Sequence, residues 1–225
     1  MKSGRRFSVR RSGALVVLGA LVAAGMSAGC YVPHFLVWLF KPDQITRSVK
    51  AEYDLRAERL LIVPYAGTDI LFTYPTAPIE ISQELVYAIA RNLEGRVKTV
   101  VHPVEVVRWQ EGTLEWPNMT LEEVAAEFRA DTLLYVELER YTMVEEGSAN
   151  LFRGRAKARV QVVKADAEVN PVYETLVEVL FPEDRPVGVL ETSERVMQRG
   201  TNLLFARDVI RKFYDHKVEV KGGQP

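Results

Sequence analysis

One cysteine and three histidines are the only thiol and imidazole side chains in this chain of 225 residues. A single thiol excludes an intrachain disulfide, so a hydrophobic core has to hold the fold alone. His34, His102 and His216 are scattered, and none shows a ligand spacing such as H-x-x-x-H, so no metal site is expected. There is no G-x-G-x-x-G and no G-x-x-x-x-G-K to cradle a phosphate, and no serine has an evident base beside it. The acidic pairs Glu122-Glu123 and Glu145-Glu146 fall on a helix and in a turn, where solvation accounts for them. The expectation is a protein that is not an enzyme and needs no cofactor; a hydrolase would need a cryptic site assembled wholly in three dimensions.

Acidic residues are missing altogether from the first 29 positions, which hold Lys2, Arg5, Arg6, Arg10 and Arg11. Charge of either sign is then missing from Gly13 to Gly29, GALVVLGALVAAGMSAG. A basic start, an apolar run and small residues make an export signal, with the arginines staying on the cytoplasmic side. The residues flanking Arg5-Arg6 fit a twin-arginine pattern poorly. Removing the signal takes five of the 29 basic residues, leaving 24 against 30 acidic ones and a net charge of −6. A mildly acidic exported domain is not a nucleic-acid binder by bulk electrostatics.

The lone cysteine, Cys30, closes this run behind Ser27, Ala28 and Gly29. That ending resembles the lipobox of bacterial lipoproteins, in which cleavage precedes the cysteine and the thiol is diacylated. The family prefers Leu where this chain has Ser27. The resemblance implies a signal peptide at 1–29 and lipidation at Cys30, which would attach the protein to a membrane. An uncleaved anchor stays open, because YVPHFLVWLF follows and makes 13–40 an almost continuous apolar stretch, interrupted by Pro33 and His34 and long enough to span a bilayer.

Residues 30–58 read as anchor and tether, with Tyr31, Phe35, Trp38 and Phe40 either at the lipid interface or packed on the domain. The globular part, 59–216, reads as one α/β domain, followed by a tail at 217–225 that is expected to fray. RLLIVPYA at 59–66 predicts a buried strand. GTDILFTYPTAP reads as a loop of more than usual length, and such loops are often functional. Ile81, Leu85, Ile89 and Leu93 predict a helix over 78–94, closed by Gly95. VKTVVH is a second strand, Val104 to Gln110 is ambiguous, and EGTLEWPN is loop. Thr120 and Glu123 form a capping-box pattern for a short helix from Leu121 to about Ala130. TLLYVELERYTM, 151–164 and 172–181 are strands, the last two joined by a turn containing Asn170-Pro171. A final helix runs from about Ser193 to Asp215. The predicted fold is a mixed sheet in the order β-α-β-α-β-β-β-α, with helices mainly on one face.

Arg153, Arg155, Lys157, Arg159 and Gln161 alternate with apolar residues and give that strand a basic outer face. An anionic ligand is one use for such a stripe. Glu137 and Glu139 on one neighbouring strand and Glu174 and Glu178 on the other favour a solvated, self-paired face instead.

The signal with Cys30, RLLIVPYA, EISQELVYAIARNLE, VKTVVH, LEEVAAEFRA and ADTLLYVELERY together resemble a group of envelope lipoproteins. That group includes the curli-secretion channel subunit and the activator lipoproteins of penicillin-binding proteins. Pro64-Tyr65 matches the group's P-[FY] step, and Ala130-Asp131 to Glu137 matches its strand after a short helix. The likeness covers roughly 59–181, and the channel subunit's long membrane-spanning hairpins have no counterpart. It implies an α/β accessory domain in the cell envelope with a protein partner in cell-wall or surface assembly, and no catalytic residues. Tyr31, which is not Asp, favours the outer membrane under the sorting rule of such envelopes. The alternatives are an oligomeric secretion-channel component and a single-span, signal-anchored periplasmic protein.

Overall fold

A computed structural model describes residues 46–219. Cys30, His34 and the apolar stretch at 13–40 lie outside the described residues. In chain order the described elements are β1 (Thr46–Val49), β2 (Ala57–Ala66), α1 (Thr68–Thr73), α2 (Ala77–Asn92), β3 (Val97–Val100), α3 (Pro103–Gly112), a 3-10 turn (Trp116–Asn118), α4 (Leu121–Glu127), β4 (Thr132–Val144), β5 (Leu151–Lys164), β6 (Tyr173–Phe181), β7 (Val187–Gly188), α5 (Glu194–Arg211) and β8 (His216–Glu219). The main sheet runs β3-β2-β4-β5-β6, and β7 adds to the end of β5. β2 is parallel to both β3 and β4, whereas β4, β5 and β6 are antiparallel. The mixed α/β sheet read from the sequence is therefore the observed one. β1 and β8 pair as a separate two-stranded sheet.

RLLIVPYA has no polar alternation because both of its faces are buried. Leu60 and Ile62 join a large core with Ile81, Leu85 and Ile89 of α2 and Phe205, Val209 and Ile210 of α5. Leu61 and Val63 join a smaller core with Val106 of α3 and Val124 and Ala125 of α4. This doubly buried run is the signature of a parallel strand. The long helices α2 and α5 pack in the large core, and α3 and α4 pack in the smaller one on the other face of β2. On that second face α4 covers only the end of β5 at Val163, and the rest of the strand presents Arg153, Arg155, Lys157 and Arg159.

Local rules explain most boundaries. The Thr120 hydroxyl accepts from the Glu123 N–H at 3.3 Å, and the Glu123 carboxylate accepts from the Thr120 N–H at 2.8 Å, the reciprocal cap that the sequence shows. The Asn170 side chain closes the β5–β6 turn, accepting from the Lys164 N–H at 3.0 Å and donating to the Lys164 carbonyl at 2.9 Å. The chain packs earlier than Arg59, since Leu55 and Ala57 are buried and Tyr53 stacks on Tyr173 at 5.3 Å. Glu52 fixes this segment by pairing with Lys212 at 2.6 Å and accepting from the Tyr173 hydroxyl at 2.7 Å. The last helix stops at Arg211 rather than near Asp215, where Phe213 turns into the core.

α5 lies close on β5 and β6 because two positions have no side chain. A Cβ on Gly154 would sit 1.8 Å from the Thr201 hydroxyl, and one on Gly200 would sit 2.2 Å from the Phe181 ring. The same helix is tied inward by polar contacts. Buried Tyr141 donates to Asn202 at 2.6 Å, and Asn202 donates to Glu80 of α2 at 3.2 Å.

Candidate functional site

α2 connects β2 to β3 across one face of the sheet, and α3 and α4 connect β3 to β4 across the other. The helices therefore part at the carboxyl end of β2, the place where open α/β sheets leave a crevice. A cleft of about 410 Å³ lies there, within the size range of binding sites. One wall comes from α1 and the start of α2, with Thr68, Leu71, Pro75, Pro78 and Ile79. The other comes from α3 and the 3-10 turn, with Val107, Gln110, Glu111, Trp116 and Pro117, and the strand end Pro64-Tyr65-Ala66 forms the floor.

Backbone and ring contacts hold these walls. Gln110 donates to the Pro64 carbonyl at 2.9 Å, clamping α3 to the strand end. Tyr65 meets Trp116 edge-on at 5.7 Å and stacks on Tyr135 at 6.4 Å, and Trp116 leads on to Trp109 at 6.4 Å and Trp109 to Phe128 at 5.2 Å. Such contacts fix ring orientation at a modest gain of about 0.5–1.5 kcal/mol each. Burial, reinforced by the nearby Glu137 charge, pushes the Tyr135 hydroxyl well above the ordinary phenol range, so it stays neutral at physiological pH. On the opposite wall, α1 is pinned by Tyr74. Its hydroxyl accepts from the Met143 N–H at 3.1 Å and its ring meets Tyr141 edge-on at 5.1 Å.

Pinning Tyr74 and Ile70 inward turns the rest of α1 out. Phe72 is 93% exposed, next in the chain to the cleft residue Leu71, which is 39% exposed, and Leu114 is 89% exposed in the loop two residues before the cleft residue Trp116. Single exposed apolar residues are ordinary, but several beside an apolar cleft mark an interaction site. The cleft's polar groups are Gln110, which is already bonded, the Glu111 carboxylate, the Thr68 and Tyr65 hydroxyls and the Trp116 ring N–H, and no histidine, serine or cysteine lines it. That composition suits binding of apolar side chains more than proton transfer or covalent chemistry.

The sequence marks GTDILFTYPTAP only as an overlong loop and leaves Val104 to Gln110 undecided. Both belong to this site, as α1 with its flanks and as α3. The usable signal is the density of prolines and large apolar residues in segments that would otherwise be solvated loops. What cannot be read locally is that the two segments meet, because that follows from the strand order β3-β2-β4.

The basic stripe on β5 is placed differently. Lys157 and Arg159 pair with Glu139 at 2.9 and 3.4 Å, and Arg155 and Arg153 approach Glu145 at 3.4 and 3.9 Å. Glu139 is held below the ordinary carboxylate range, first by its hydrogen bond from Lys157. The self-paired face is thus observed, with a change of partners. Glu145 takes the role expected of Glu137 and Glu178, and Glu174 accepts instead from Gln161 at 2.5 Å. Glu145 is not a solvated turn residue, because register shifts between β4 and β5 near Leu138 and Thr142 turn it inward over Arg155. Its neighbour Glu146 pairs with Arg140.

His102 caps α3, its Nδ1 accepting from the Val104 N–H at 3.3 Å, and His216 Nδ1 lies 3.1 Å from the Tyr214 carbonyl. Among the described residues no three metal-type side chains cluster, and no helix is long and apolar enough to cross a membrane.

No protein-family model matches the chain, and no curated protein matches it. Solved structures do show a distant likeness. The PelC dodecamer from Paraburkholderia phytofirmans is 9% identical over 76% of this chain and 98% of that one, with a TM-score of 0.42. Lipoprotein GNA1162 from Neisseria meningitidis is 10% identical over 67% and 97%, with a TM-score of 0.43. Hypothetical protein CT253 from Chlamydia trachomatis is 14% identical over 73% and 94%, with a TM-score of 0.38. Likenesses this distant transfer no role to the chain.

Proposed function

We propose that the chain is a lipid-anchored, non-enzymatic protein of the cell envelope. In this reading its α/β domain binds a protein partner, during cell-wall or surface assembly, through the cleft at the carboxyl end of β2. The observation that carries the binding role is the pairing of an apolar, ring-lined cleft with exposed Phe72, Leu71 and Leu114. The anchor rests on the sequence around Cys30, with the basic start and uncharged run before it. Holding the domain on a membrane raises its concentration near membrane-bound partners without any new contact. The residue after the cysteine, Tyr31, supports the outer membrane as the place of attachment.

Metabolic labelling with an alkyne fatty acid tests the anchor. Label on the wild type and none on Cys30→Ala is the expected result. Absence of label in both, with membrane retention unchanged, would replace the lipid anchor by an uncleaved apolar span over 13–40.

A further inference from the structure

The charges around the cleft go beyond its apolar lining. Gly67 to Ile79 contains one acid, Asp69, and no cation. Pro103 to Asn118 contains Glu105, Glu111 and Glu115 against the single cation Arg108. Glu111 lines the cleft, Asp69 and Glu115 directly neighbour the lining residues Thr68 and Trp116 in the chain, all three are exposed, and none makes an ion pair among the described residues. Asp69 stands over Gly67, where a Cβ would lie 2.7 Å from its carboxylate oxygen. Elsewhere on the domain some acids, such as Glu52, Asp54, Glu139 and Asp215, are held by lysines or arginines. The cleft acids share with Glu122 and Glu127 the absence of an ion pair among the described residues, and they differ in standing beside an apolar groove.

An apolar groove with an unneutralised acidic rim selects against an anionic bilayer, which would repel it, and against other acidic surfaces. Building on the reading of the cleft as a partner site, we infer that its partner is a protein segment whose apolar side chains are flanked by lysine or arginine. The apolar side chains fill the space between Leu71, Pro78, Val107 and Trp116. The flanking cations meet Asp69 on one wall and Glu111 and Glu115 on the other. Charge then sets partner choice and encounter rate, and apolar burial sets the lifetime of the complex.

The test uses the full chain in nanodiscs of neutral lipid and two fluorescent peptides with one apolar core, flanked either by lysines or by glutamates. The lysine peptide is expected to bind about tenfold more tightly, three exposed pairs of modest strength adding up to that ratio. Raising the salt should erase most of the preference. The combined Asp69→Asn, Glu111→Gln, Glu115→Gln variant should lose the preference yet keep its thermal unfolding transition, and Phe72→Ser with Leu114→Ser should weaken both peptides alike. Equal binding of the two peptides, or binding of neither, overturns the inference. So does capture of phosphatidylglycerol vesicles, or of a second copy of the chain, through Phe72 and Leu114. A partner crosslinked at Phe72 in cells, without any lysine preference here, would overturn the charge selectivity and leave the site itself standing.

Discussion

Four cations stand out along β5, and a group of large apolar side chains stands out around the end of β2, yet the fold treats the two sets in opposite ways. Arg153, Arg155, Lys157 and Arg159 are paired by Glu139 and Glu145, and more than half of each side chain is covered. Phe72 and Leu114 are almost fully exposed, and Asp69, Glu111 and Glu115 make no ion pair among the described residues. A conspicuous pattern in the sequence is thus no guide to function until its partners are placed. The stripe is neutralised from within the domain, and the apolar and acidic side chains about the cleft are not covered by it.

If the antiparallel half is structural and the cleft is not, substitutions in the two should separate stability from binding. The largest loss is expected for Gly154→Ala under the stripe. Its new methyl collides with Thr201, which is buried on α5. Overpacking of this kind costs up to about 3 kcal/mol, read by chemical denaturation. Adding Thr201→Ala should restore most of it, since the two sites share the contact.

Glu145→Gln comes next. It leaves Arg153 and Arg155, each about one-fifth exposed, without a carboxylate. Discounted for that residual exposure, the expected cost is about 1–2 kcal/mol. A neutral result would show that Glu145 is not what holds these two cations, Arg153 also donating to the Pro182 and Glu183 carbonyls.

The third prediction concerns acid. Burial works against the Asp131 carboxylate, but N–H donation from Arg59 at 2.5 Å and Glu58 at 3.3 Å, with the Thr132 hydroxyl at 3.0 Å, outweighs it and holds the group below its ordinary range. Glu52 is lowered too, first by Lys212. A depressed carboxylate adds stability above its unfolded value, and that stability is lost as pH falls through its folded value. Unfolding free energy should therefore decline below about pH 4, and Asp131→Asn should flatten that decline. An unchanged acid slope in the variant would remove Asp131 from the account. The smallest effect belongs to the cleft: Phe72→Ser should change stability by less than about 0.5 kcal/mol, as for exposed sites without partners.

Legibility in the sequence followed the range of the interactions. The α2 stripe of Ile81, Leu85 and Ile89, the Thr120 capping box and the alternation along β5 are set by neighbours within a few positions, and each is found where the pattern places it. α1 and α3 were not legible, because six and ten residues opened by Gly67 and Pro103 carry little periodicity of their own and are held by Tyr74 and Gln110 across the chain. The cleft was the least legible feature. Its two walls lie more than 25 positions apart, and only the parallel placement of β3 and β4 on either side of β2 brings them together. The partners of the basic stripe were half legible: Glu139 followed from strand pairing, whereas Glu145 depended on irregular register that no local rule encodes.

Site-specific photocrosslinking in intact cells tests the central claim, with p-benzoylphenylalanine placed at Phe72, at Leu114 and at Leu176. Leu176 is a control of comparable chemistry, half-exposed on β6. A discrete protein adduct from Phe72 and Leu114, and none from Leu176, is the predicted result. No adduct from Phe72 or Leu114, or the same adducts from all three, would contradict the assignment of the cleft and its exposed neighbours as the site where this protein meets its partner.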